Sequence, residues 1–253
     1  MASGYEIRIR QLMKKLSVVP DPAMVEGLAR ELLTERPVEM LAELVSSLGR
    51  LALERDARII YSSVVRLSIS GEEDIPRQVR EEIYSVLAAR GEGSLVRYLL
   101  PLPPQRQAGD IDMPRDPVLD EMTLGMRKWK ARGRSKDFLL RLSRDRDPTV
   151  FRVLLDNPML TEDDVIRFAA RRPALPDMLM AISIHRKWSL SGRVLEALAR
   201  NPYTPTHVAA AFMPLFAGHL LRRIQDDGTL HPLVREAASD VSRLRTGTDD
   251  EEK

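Results

Sequence analysis

Cysteine is absent from the chain, which excludes disulfides and thiolate metal sites. Aromatic residues make up only 5% of the chain, while Leu, Ala, Val and Met are plentiful. Strands favour aromatic and β-branched residues, so this balance points to helices packed on helices. No apolar run approaches the roughly 18 residues of a membrane helix, and no membrane span is expected. The opening "MASGYEIRIRQLMKKL" holds no uninterrupted apolar stretch of leader type, so a cytoplasmic location is expected.

Catalytic signatures are equally scarce. The four histidines, His185, His207, His219 and His231, show neither i, i+4 metal spacing nor an H-E-x-x-H arrangement. His207 reads as a capping or surface residue. There is no nucleophile elbow, phosphate-binding P-loop or dinucleotide glycine pattern. "RGEGS" (90–94) reads as a loop that ends a helix. The acid pairs Asp163/Asp164 and Asp226/Asp227 fit a helix start and a loop onset, not a facing pair of glycosidase type. No enzyme activity, cofactor or metal is expected.

What remains is 253 residues, 43% apolar and 30% charged, enough for one large or two modest domains with a buried core. The net charge of +2 conceals an uneven distribution. Residues 126–200 carry 17 Lys/Arg against 9 Asp/Glu, while residues 1–100, 101–125 and 201–253 are each slightly acidic. Helical spacing of apolar residues predicts helices at 5–16, 21–35, 37–54, 56–70, 75–89 and 94–102. The stretch 56–70 is dense in β-branched residues but has no partner strand, so it is read as a buried helix. "PLPPQRQAGDIDMPRDP" (101–117) holds five prolines and reads as a linker or surface loop.

From residue 118 the pattern becomes a string of short helices, at 119–131, 135–144, 147–156, 161–172, 175–186, 189–200, 204–216, 218–227 and 231–245. Asp147, Thr161 and Ser135 stand at N-cap positions, and Thr161 with Asp164 has the spacing of a capping box. Helices this short need packing partners to persist. The expected organisation is therefore an N-terminal helical region (1–100), the Pro-rich segment (101–117), a helical-repeat region (118–245) and a disordered acidic tail (246–253).

Two corners are written alike. Asn157-Pro158 and Asn201-Pro202 lie 44 residues apart, within the roughly 40–47-residue period of HEAT and armadillo units. The local reading is that Asn adopts the left-handed backbone that closes a helix, Pro prevents continuation, and Thr161 or Thr204 caps the next helix. Through "NPMLTEDDVIRFAARRP" and "LARNPYTPTHVA", residues 118–245 resemble short-helix α-solenoid proteins of bacteria, of the HEAT/armadillo and leucine-rich-repeat-variant kinds. The resemblance implies an all-α, α-solenoid fold of short stacked helices, and a surface rather than a pocket as the functional element.

The sharpest local signal is "MRKWKARGRSK" (126–136), which sets Arg127, Lys128, Lys130, Arg132, Arg134 and Lys136 around Trp129. Arg171, Arg172, Arg186 and Lys187 extend the basic character. Trp188 reads as a staple packing on the helix that follows it. An acidic protein partner suits this pattern; so does nucleic acid, with the indole stacking on bases. The bland alternative is a solvated helix end whose Trp covers the core. The leading expectation is a non-enzymatic protein-interaction scaffold or adaptor that meets an acidic partner through these eleven residues. The alternative is a nucleic-acid-binding HEAT-like protein, possibly of DNA glycosylase type.

Overall fold

A computed structural model describes residues 37–70, 76–107 and 115–251, together with Gly27. The helices expected at 5–16 and 21–35 lie outside the described residues. Among the described residues the chain is all-helical with no strand; the only extended pairing there is an isolated antiparallel bridge between Pro104 and Pro205. No described helix is long and apolar enough to cross a membrane. The chain forms two compact units, residues 1–103 with 206–253, and residues 104–205.

In the first unit, α1 (Val38–Leu51), α2 (Arg55–Ile69) and α3 (Arg77–Ala89) are followed by a 3-10 turn at Gly93–Leu99. The β-branched stretch is a buried helix as read: Ile60, Val64 and Val65 of α2 are enclosed. Helix α3 stops at Gly91, whose φ of +76° only glycine adopts without strain. Tyr61 meets Tyr98 edge-on at 6.3 Å and donates its hydroxyl to the Ala211 carbonyl at 3.0 Å.

The second unit begins with α4 (Pro117–Asp120), α5 (Leu124–Ala131), α6 (Lys136–Leu142) and α7 (Pro148–Leu155). It continues with α8 (Glu162–Ala170), α9 (Pro176–Ile184), a 3-10 turn at Trp188–Leu190, and α10 (Gly192–Ala199). The chain then re-enters the first unit through α11 (Thr206–Ala211), a 3-10 turn at Met213–Leu215, α12 (Gly218–Gln225) and α13 (Pro232–Glu251).

This grouping differs from the expected one, which joined residues 118–245. Residues 206–253 fall in one compact unit with residues 1–103. Their short-helix pattern looks like that of 118–205, but Tyr61 and the Gly93–Leu99 turn supply the surface they cover. The acidic end is also not wholly irregular, because α13 runs on to Glu251 with no proline to stop it.

The helix expected over 119–131 is two helices. Asp116 accepts from Val118 N–H with Pro117 at the first helical position, and Thr123 then accepts from Met126 N–H to start α5. The Asp147 cap and the Thr161–Asp164 capping box form as read. Ser135 occupies a cap position without a side-chain bond, and the cap of α10 is Ser191.

His207 is not a surface residue. It is 8% exposed, and its Nδ1 accepts from the Leu102 N–H at 3.0 Å. Burial lowers its pKa, with a backbone contact to Leu102 acting in the opposite direction. Folding thus disfavours the charged ring, so its contribution is full above the unfolded value near 6.5 and is lost as pH falls through the lower folded value. Urea titrations of the wild type should show a midpoint that drops between pH 7 and 5. In His207→Asn that drop should be smaller; an identical drop would show that His207 is not its source.

Candidate partner-binding site

After α4, the 104–205 unit consists of two helix triads, α5–α6–α7 and α8–α9–α10, joined at Asn157. The corner residue acts through its side chain. Among the described residues no amino acid other than glycine has a positive φ, so the expected left-handed asparagine is corrected. Instead the Asn157 amide donates to the carbonyls of Ala131 at 2.7 Å and Gly133 at 2.8 Å, and its Oδ1 accepts from Met159 N–H. Asn201 repeats this: its amide donates to Ala169 and Arg171 carbonyls at 2.7 and 2.8 Å, and its Oδ1 accepts from Tyr203 N–H. Both asparagines are buried. Each therefore ties the end of the third helix of a triad to the open carbonyls at the end of the first, which no helical N–H can reach. Thr204 does not cap α11; its hydroxyl donates to the Leu198 carbonyl.

The clamps align the triads residue by residue: Ala131 corresponds to Ala169 and Gly133 to Arg171. Ser191 Oγ donates to Glu162, and Arg193 pairs with Glu162 and Asp163, so the start of α10 is tied to the start of α8.

Within this frame the eleven basic-patch residues separate into two groups. Several are engaged with the fold. Arg127 pairs at 2.5 Å with Asp145, whose side chain is wholly enclosed. Lys136 bonds Asp164 and the Met159 carbonyl. Lys130 sits over two rings, 5.2 Å from Trp129 and 5.3 Å from Phe138. Arg171 donates to the Ser143 carbonyl and hydroxyl at the end of α6; burial first, and then the nearby Arg144, lower its pKa. Arg172 donates to the Arg200 carbonyl at the end of α10. Lys187 lies 4.0 Å over the Trp188 ring, and Arg186 is exposed in the same corner.

The outward group gathers on α5. Ala131 is the only fully buried residue of that helix. Met126, Trp129 and Arg132 follow one another at i, i+3 spacing on its opposite side, with Met126 49% and Trp129 67% exposed. Lys128 is half-buried beside them, Arg132 donates to the Lys128 carbonyl, and Arg134 is exposed just beyond. No acidic residue occurs in α5.

The second tryptophan behaves oppositely. Trp188 is 3% exposed, and its Nε1 donates to the Leu155 carbonyl at 3.0 Å. The staple reading is therefore incomplete, because the ring reaches back to the end of α7 in the preceding triad. In the alignment set by the clamps, the position of Trp129 is taken in the second triad by Arg167, also exposed. The triad thus forms without an aromatic ring there.

Among the described residues no group of three or more His, Asp or Glu side chains is placed to hold a metal ion. Comparison with protein-family models, curated proteins and solved structures finds no match for this chain.

Proposed function

We propose that residues 104–205 are a pair of HEAT/armadillo-like triads serving as a non-enzymatic interaction module, and that the outer face of α5 docks an acidic protein segment. The observation that carries this reading is Trp129, two-thirds exposed between Met126 and Arg132. A large indole in water has hydrophobic area to gain on binding, and Trp and Arg are the residues most enriched at interface hot spots. The flanking Lys128, Arg132 and Arg134, with no acid on the helix, favour a partner of negative charge. The folded unit has no need of the ring, since the matching position of the second triad is Arg167.

The test is photo-cross-linking from position 126 in native cells, with and without nuclease. Trp129→Ala should leave stability within about 0.5 kcal/mol of wild type while abolishing capture of a protein that nuclease treatment does not release. Capture should weaken as salt rises. Capture of nucleic acid instead, or undiminished capture by a Trp129→Ala chain cross-linked from position 126, would refute the proposal.

A further inference from the structure

A second basic feature lies at the start of the 104–205 unit, apart from the Trp129 face. Arg115, Arg141 and Arg144 line one open cleft of about 280 Å³, with Pro117 and Val118 as an apolar wall and, among the described residues, Asp116 as its one carboxylate. Arg115 precedes α4, Arg141 is on α6 and Arg144 follows α6, so the fold brings together cations spread over thirty positions of sequence. All three are exposed.

Asp116 is already engaged on one oxygen, which accepts from Val118 N–H at 3.0 Å and pairs with Arg141 at 3.3 Å. It fixes the position of Arg141. Behind the cleft, Arg127 is matched by the enclosed Asp145. Among the described residues, Arg115 and Arg144 have no acidic partner. Among the described residues the cleft thus holds three guanidinium groups against one carboxylate, an excess of two positive charges.

We propose that this cleft binds a phosphomonoester group, with Arg115, Arg141 and Arg144 as its ligands. A carboxylate is satisfied by a single guanidinium fork, whereas a phosphomonoester offers three terminal oxygens and carries nearly two negative charges at neutral pH. Number of donors and charge both match the dianion. A phosphodiester has one charge per group and leaves half of the excess uncompensated. Val118, 39% exposed, gives the carrier of the phosphate an apolar surface. The site is independent of the Trp129 reading: a Trp129→Ala chain should keep phosphate binding, and an Arg144→Gln chain should keep partner capture.

The experiment is a titration of the full chain with phenyl phosphate at fixed ionic strength, followed by calorimetry and by the arginine side-chain Nε–H signals. Saturable binding is expected, with shifts at Arg115, Arg141 and Arg144. Affinity should fall about tenfold with Arg115→Gln or Arg144→Gln, each removing one charge-assisted fork, and stay unchanged with Arg134→Gln. It should weaken below about pH 6 as the dianion takes up a proton, and phenyl sulfate should bind weakly. A phosphothreonine peptide that binds more tightly than inorganic phosphate identifies a protein carrier; equal affinity identifies the free ion. Absence of saturable binding, shifts away from these arginines, equal affinity for phenyl sulfate, or displacement by duplex DNA at equal phosphate concentration would overturn the proposal. The wild-type signals decide the matter even if a variant folds poorly.

Discussion

Trp188→Ala should destabilise the 104–205 unit by about 4 kcal/mol, the cost of removing a fully enclosed tryptophan side chain. The ring is 3% exposed, and its loss leaves both a cavity and an open carbonyl at Leu155, which now accepts from Nε1 at 3.0 Å. For a unit of this size, each kcal/mol shifts the melting point by several degrees, so a drop on the order of 20 °C is expected by circular dichroism. Trp188→Phe retains most of the volume and loses the hydrogen bond, so about 1–2 kcal/mol is expected. Equal effects of the two substitutions would mean that volume is not what the ring supplies.

The second large effect is at the corners. Asn157→Ala and Asn201→Ala should each lower stability by about 3 kcal/mol, because each removes two amide donors and leaves helix-end carbonyls without partners. Asn157→Asp should be worse than Asn157→Ala, since it sets a carboxylate against two carbonyl oxygens in a buried site. Urea unfolding of the three variants checks this order. If Asn157→Asp proved the mildest, the clamp geometry would be wrong.

Much of the fold was legible because it is local code. The caps at Asp147 and Thr161, the helix stop at Gly91 and the buried helix over residues 56–70 depend on neighbours within a few positions. The two asparagine corners were found by their recurrence, but their mechanism was misread. The carbonyls they clamp lie 24 to 32 residues away, where no local pattern points. The return of residues 206–245 to the first unit was illegible for the same reason: a short amphipathic helix does not encode which surface it covers.

The candidate site divides similarly. The charge run at 127–136 and its tryptophan stood out in sequence. That Arg127 serves Asp145, Lys136 serves Asp164 and Arg171 serves Ser143 follows only from contacts 18 to 28 residues apart. The arginine cleft was missed altogether, because Arg115, Arg141 and Arg144 share no motif.

The central claim is that one tryptophan builds the unit and the other faces outward to bind. Single-tryptophan chains test it most directly, by emission maximum and acrylamide quenching. With Trp188→Phe, the remaining Trp129 should emit like indole in water and quench readily. With Trp129→Phe, the remaining Trp188 should emit at shorter wavelength and resist the quencher. A shielded Trp129, or two tryptophans quenched alike, would contradict the account.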